Sequence, residues 1–264
     1  VLFADQLNLA RGKYIPADMA QKGRARFCLG TYAVTYAKDL IAAPGGGVDI
    51  GLPDIEAVFD PEDIRPSWEP GTGIAIPDLM FEDKPADLCG RTALKRAVAA
   101  WEADGLSPKI GMEAEAYIFK RTDDGWVPYD TPGSFVYGTG PFTDPEGLLD
   151  DIWRMADKCG LPIESINAEF DAPQIELAMR YDDALKACDD MFLFRQMARE
   201  LLIKRGYLLS FMPKPIEDLS GTGMHINMSF NDKNGKNVFA GGTKEGKLSD
   251  LVSGSISGLL HHLD

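Results

Sequence analysis

The sequence predicts an α+β fold with a mostly antiparallel sheet, and three observations carry that prediction. Short apolar runs broken by Gly and Pro fill the first third of the chain. Beyond it, runs with a two-residue alternation are interleaved with segments of helical period. The last of those runs ends on Asn234-Gly235, a pair that closes a hairpin. With 264 residues, 45% of them hydrophobic and 26% charged, the chain can bury a substantial core as one large domain or two smaller ones.

Residues 1–90 contain the breaks Ala43-Pro-Gly-Gly-Gly47, Gly51-Leu-Pro-Asp54 and Trp68-Glu-Pro-Gly71, which predict a small strand-rich domain. Leu94, Ala97, Val98 and Trp101 then recur at helical spacing, and Asp104-Gly105 with Pro108 marks the stop. The domain boundary is placed there, giving a second region over 91–264. One helix in it starts at Thr143-Asp-Pro145, carries Leu148, Leu149, Ile152, Met155 and Cys159 on one face, and ends at Gly160. Another starts near Asp182 and carries Leu185, Cys188, Met191, Phe192, Ala198 and Leu202 before Gly206. Strands are predicted over 109–119, 163–170, 174–179, 208–212 and 224–230. No internal repeat is present.

Composition narrows the function. Against 41 acidic residues stand 27 Lys plus Arg, a formal net charge of -14, and no basic run is interleaved with aromatics, so nucleic acid is not an expected partner. Cys28, Cys89, Cys159 and Cys188 form no CxxC pair and read as buried thiols in a reducing compartment, with the cytoplasm as the expected location. No apolar stretch is long enough to span a bilayer, so no membrane partner is expected. The chain opens on Val1 and stops at Asp264 after an unfinished helical pattern, the expectation being a piece of something longer.

Three segments carry candidate chemistry. In Gly111-Met-Glu113-Ala-Glu115 the carboxylates stand two apart, so a strand would point both to one side. Such neighbours repel unless a cation lies between them or one stays protonated. A solvent-facing strand also alternates Glu with apolar residues, so the pair alone leaves both readings open. The second segment, Glu164-Ser-Ile-Asn-Ala-Glu169-Phe-Asp-Ala-Pro-Gln174-Ile-Glu176, offers further carboxylates on neighbouring strands, with Glu176 in an apolar setting costly for an unpaired charge. The third is Phe211-Met-Pro-Lys-Pro215 followed by Ser220-Gly-Thr-Gly-Met-His225. Alternation places His225, Asn227 and Ser229 on one strand face and Met224, Ile226, Met228 and Phe230 on the other. A lone His is more often a core residue than a ligand, although a Gly-rich loop beside it allows close approach of a ligand. A set of glutamates with one imidazole and no thiolate suits Mg²⁺ or Mn²⁺ better than structural zinc, and hard ions of this kind usually serve phosphate chemistry.

The ordered set Gly-x-Glu-x-Glu, Glu then Gln-x-Glu, Phe-Met-Pro-Lys-Pro and Ser-Gly-x-Gly-Met-His resembles the glutamine synthetase family over essentially the whole chain. Tyr181-Asp-Asp-Ala-Leu185 before the long helix fits as well. The resemblance implies a small β-grasp-like N-terminal domain, then a catalytic domain whose curved antiparallel sheet and flanking helices form a two-metal site. It implies that Glu115, Glu169 and Glu176 hold the ion that orients glutamate, and that Glu113 and His225 hold the ion bridging the ATP phosphates. Gly221 would contact glutamate through its backbone, and Glu164 and Ser229 match positions around the nucleotide. The implied reaction is an ATP-dependent ligation of glutamate with ammonia or an amine through a γ-glutamyl phosphate, in a large ring homo-oligomer with sites shared between subunits.

By the same resemblance, a further carboxylate, an arginine cluster and a flap glutamate of the family would lie beyond Asp264. Asn227 stands where the family has a second histidine, and Asn167 and Ala168 stand where histidines often precede the first paired glutamate. Asp5 to Lys13 follows the style of the γ-glutamyl-amine ligases, and the Phe-Asp-Gly-Ser motif that serves ammonium binding is not found, which points to an amine larger than ammonia. A γ-glutamyl-polyamine or alkylamide synthetase is therefore the nearest alternative to glutamine synthetase. A non-catalytic structural family member and a two-metal phosphohydrolase are the alternatives from other classes. Gly241 to Lys247 nearly spells a P-loop, but Leu248 replaces the hydroxyl residue the motif needs, so a surface loop is expected. His261-His262 reads as packing or surface.

Overall fold

The computed structural model describes residues 1–240 and 248–263. The near-P-loop of 241–247 lies outside the described residues. The chain opens with a hairpin of β1 (Leu2–Ala4) and β2 (Ala10–Gly12), and a one-turn helix, α1 (Ala17–Ala20), follows. Buried Asp5 organises the hairpin turn: its Oδ1 accepts the N–H groups of Leu7 and Leu9 at 2.9 Å each, and its Oδ2 takes Arg11 Nε at 2.6 Å. Six strands come next: β3 (Arg24–Cys28), β4 (Asp54–Val58), β5 (Arg65–Pro66), β6 (Gly73–Ile74), β7 (Asp78–Phe81) and β8 (Lys84–Pro85). β3, β4, β7 and β8 form a four-stranded antiparallel sheet, and β5 pairs β6. Phe3, Phe27, Tyr32, Ile55 and Leu79 make its core, with the Phe3 ring edge-on to Phe27 at 5.0 Å. The glycine run is used where it must be, since Gly47 sits at φ +77 beside Leu29 and Pro53.

α2 (Gly90–Ala103) packs Leu94 and Val98 against the larger core and stops at Asp104, with Gly105 at φ +75, as the spacing predicts. The second sheet is built on one long strand, β9 (Leu106–Thr122). With it run β10 (Gly125–Pro128), β11 (Ile163–Ala168), β12 (Gln174–Asp183), β13 (Tyr207–Ser210) and β14 (Met224–Asp232). The order is β10-β9-β12-β11, and β13 and β14 share the other edge of β9, every pairing antiparallel. β9 starts earlier than the expected Lys109. Pro108 is tolerated because β12 reaches only to Lys109, so the missing N–H falls where β9 is paired by β14 alone.

α3 (Leu148–Lys158) and α4 (Ala184–Lys204) cover one face of this sheet. Ile110, Met112, Ala114, Ala116 and Ile118 of β9 meet Leu148, Ile152, Phe194 and Met197 there, each of the larger apolar side chains contributing about 1.5–3 kcal/mol on full burial. α3 begins five residues after the expected Thr143. The Thr143 hydroxyl is engaged instead in donating to the Gly133 carbonyl at 2.8 Å, and Gly147 at φ +67 starts the helix, with Asp144 Oδ2 accepting the Leu149 N–H at 2.8 Å. The predicted apolar face of β14 is only partly covered. Phe230 is buried beneath Trp101 at 4.5 Å, while Met224, Ile226 and Met228 remain exposed. After β14, Gly235 at φ +79 makes the expected turn, but the return is a single bridge, Asn231 to Asn237, and not a second strand. α5 (Asp250–His261) ends on exposed His261 and His262. No helix among the described residues is long and apolar enough to cross a membrane.

Candidate metal centre

Side-chain alternation sends the polar residues of β9, β12 and β14 to the sheet face opposite α3 and α4. Register then brings them together: Glu176 lies opposite Glu115, and His225 opposite Glu113. Glu113, Glu176 and His225 each offer a donor atom within 4.8 Å of the others. His225 Nδ1 is 3.2 Å from Glu113 Oε2 and 3.8 Å from Glu176 Oε2, and its Nε2 is 3.9 Å from Glu115 Oε1. Glu169 follows β11 and its backbone N–H donates to the Gln174 carbonyl at 2.9 Å, closing the turn that joins β11 to β12. Its Oε1 accepts Asn167 Nδ2 at 3.0 Å.

Among the described residues none of the four glutamates pairs with a Lys or Arg. Burial first, and then the charges of Glu169, Glu113 and Glu115, push the Glu176 carboxyl above the usual carboxylate range, with His225 opposing them. A half-buried cluster of oxygen donors that lacks a counter-charge and contains one imidazole and no thiolate fits a hard divalent ion such as Mg²⁺ or Mn²⁺.

Ser229 is half-buried on the same strand face as His225, opposite Lys109. Gly221 lies in the loop before β14, where its carbonyl accepts Gln174 Nε2 at 2.9 Å. Glu164 is exposed at the bulge between Ile163 and Ser165, and it does not join the Glu113, Glu176 and His225 group.

Several contributing residues carried no role in the sequence reading. Gln174 Nε2 also donates to Glu115 Oε2 at 2.8 Å, and Asn227 Nδ2 donates to Glu113 Oε1 at 2.9 Å. Tyr117 donates its hydroxyl to the Ser220 carbonyl at 2.8 Å, and Asp171 accepts the Ser220 N–H. Tyr137, exposed and at φ +59, donates its backbone N–H to the Ala168 carbonyl at 2.9 Å, next to Glu169. Of these, Tyr117, Gln174 and Asn227 could have been found from sequence, because all three fall on the site face by alternation.

Taken together, fold and site define an α+β protein whose open sheet face gathers carboxylates and one imidazole. A family model described as the glutamine synthetase catalytic domain matches residues 87–264, and the chain belongs to the glutamine synthetase family. Glutamine synthetase of Halobacterium salinarum is 30% identical over 272 residues, covering 98% of this chain and 57% of that protein. Gamma-glutamylethanolamide synthetase GlnA4 of Streptomyces coelicolor is 32% identical over 225 residues, covering 80% and 47%. A solved structure of GmaS in complex with ADP superposes with a TM-score of 0.81 at 27% identity, over 99% of this chain and 59% of that one. The chain therefore spans about half to three fifths of the length of the curated relatives it matches.

Proposed function

We propose that the chain carries the metal-binding and glutamate-binding part of an ATP-dependent ligase that joins the side-chain carboxyl of glutamate to ammonia or an amine. The observation that carries this reading is the convergence of Glu113, Glu176 and His225 within 4.8 Å on three adjacent strands, in a chain of the glutamine synthetase family. Glu115, Glu169 and Glu176 would hold one divalent ion, and Glu113 with His225 a second. Bound there, the ions would supply charge neutralisation for phosphoryl transfer.

The chain's own residues do the positioning. Asn227 and Gln174 fix Glu113 and Glu115 by hydrogen bonds from neutral donors, so each carboxylate is oriented without a counter-charge. Gly221 would meet glutamate through its backbone, and Glu164 and Ser229 would line the nucleotide side. The glutamate side-chain oxygen takes the γ-phosphoryl group of ATP, releasing ADP. The amine nitrogen then forms the amide bond at the carbonyl carbon, phosphate leaves with the C–O electron pair, and the nitrogen loses a proton.

The acceptor is either ammonia or a larger amine. Relatives of both kinds match the chain, among them the γ-glutamylputrescine synthetase of Escherichia coli at 28% identity. The larger amine is favoured by the Asp5 to Lys13 segment, whose Asp5 and Arg11 form the hairpin pair described above, and by the lack of a Phe-Asp-Gly-Ser motif. Residues 1–90 form the N-terminal domain in this reading and 91–264 the first portion of the catalytic domain. Family membership supports a cytoplasmic ring homo-oligomer, which light scattering on the complete chain tests. Phosphate release from ATP by the full-length protein with Mg²⁺ or Mn²⁺ tests the ligase itself, across ammonia, methylamine, ethanolamine and putrescine. Release that requires both glutamate and one amine is expected, and release independent of glutamate would reject the reading.

A further inference from the structure

We propose that Gln174 is a positioning residue that ties the cation site to the Ser220–Gly223 loop, so that metal binding and amino-acid binding are energetically linked. The inference rests on the function proposed above, in which that loop receives glutamate. Gln174 is 3% exposed, and its side-chain amide nitrogen bridges two acceptors, Glu115 Oε2 at 2.8 Å and the Gly221 carbonyl at 2.9 Å. A single buried NH₂ group therefore holds a candidate metal ligand with one hydrogen and the candidate substrate loop with the other.

Glu115 is held from a second direction. The Gly223 N–H donates to the same Oε2 at 2.8 Å, and the Glu115 N–H donates back to the Gly223 carbonyl at 3.0 Å. Two neutral donors on Oε2 leave Oε1 as the oxygen turned toward His225. Both donors are neutral, whereas a Lys or Arg in place of Gln174 would set a counter-charge against Glu115. A Cβ at position 223 would stand 2.8 Å from Glu115 Oε1, so a side chain there would displace the carboxylate. On its other side the loop is held independently of Glu115: Tyr117 donates to the Ser220 carbonyl at 2.8 Å, Asp171 accepts the Ser220 N–H, and the Thr222 N–H donates to the Pro213 carbonyl at 2.8 Å. Gln174 and Gly223 are thus the contacts through which a shift of Glu115 reaches the loop, and the linkage is reciprocal by thermodynamic necessity.

The test uses the full-length protein and two readouts: Mn²⁺ affinity of the metal-free protein by calorimetric titration, and KM for glutamate. Gln174→Met keeps the side-chain length and removes both donors. Thermal unfolding checks that it folds, and Gln174→Asn, an amide one methylene short, is the second variant. Both variants are expected to weaken Mn²⁺ binding about ten-fold and to raise KM for glutamate together, with a smaller change in kcat. Tyr117→Phe frees the loop from its other side, and should raise KM for glutamate while leaving Mn²⁺ affinity unchanged. A folded Gln174→Met protein that binds Mn²⁺ like the wild type would overturn the proposal, as would a Tyr117→Phe protein that loses Mn²⁺ affinity equally. If wild-type turnover proves independent of glutamate, the ligase reading fails by itself, and the Mn²⁺ arm still decides whether Gln174 positions Glu115.

Discussion

Glu113 and His225 are register partners on β9 and β14, with Nδ1 3.2 Å from Oε2, and Asn227 holds the other oxygen of Glu113 at 2.9 Å from its amide nitrogen. The same side chain is thus aimed by its neighbour two residues along β14. Asn227→Ala should leave the fold intact, because Asn227 is exposed, yet weaken Mn²⁺ binding about ten-fold by releasing Glu113 from its orientation. Calorimetric titration of the variant beside the wild type checks this.

Removing one charge from the carboxylate cluster should help the metal-free protein. Glu176 is half-buried among Glu169, Glu113 and Glu115, which together with its burial disfavour its charged form. Glu176→Gln keeps the shape and removes that repulsion, so Tm of the metal-free protein should rise by about 2–4 °C, the response expected for roughly 1 kcal/mol in a chain of this size. The stabilisation that Mn²⁺ gives the wild type should be lost in the same variant. Scanning calorimetry with and without Mn²⁺ reads both effects.

Asp190 joins the N-terminal region to α4. It is 2% exposed, and its two oxygens accept Arg65 from β5 and Lys186 from α4. Asp190→Ala removes both charge-assisted bonds and should cost about 2–3 kcal/mol. Arg65→Met leaves Lys186 in place and should cost about half as much. Urea unfolding of the two variants measures the asymmetry, and equal losses would count against it.

The buried thiols and phenols set an alkaline limit on stability. Burial, and then Asp189, pushes the Cys188 thiol up; burial, opposed by Lys158, does so for Cys159. Burial raises the Tyr32 and Tyr129 phenols further. Each folded-state pKa lies above its unfolded value, so the stabilisation is complete below the unfolded pKa and is lost as pH rises toward the folded one. Tm should be flat near neutrality and fall above about pH 8.5, the ordinary thiol value, then more steeply above about pH 10. At pH 8 Cys28, exposed where the sequence predicts a buried thiol, should alkylate first and half-buried Cys188 next, with buried Cys89 and Cys159 protected until unfolding, as mass spectrometry would show.

Much of this site was legible because strands alternate. Glu113, Glu115 and His225 fall on one face by counting in twos, and the Gln174 to Glu176 spacing adds the next strand to the same face. Helix ends were legible where a residue has no other task, as at Asp104-Gly105. The start of α3 was not, because Thr143 is drawn into a hydrogen bond with Gly133 that no local pattern announces. Gln174 shows a similar limit: the motif names it, but its role needs the register that sets it beside Glu115 and the loop that lies 47 residues further on. The exposed face of β14 reads in sequence as core, since alternation says which residues share a face and is silent on what covers it.

In the proposed function, Glu113, Glu115, Glu169, Glu176 and His225 form a centre for divalent ions. Calorimetric titration of Mn²⁺ into the metal-free full-length protein tests it most directly. Saturable binding of two ions per subunit is expected, with affinity lost in Glu176→Gln; no saturable binding, or binding that Glu176→Gln leaves unchanged, would rule such a centre out.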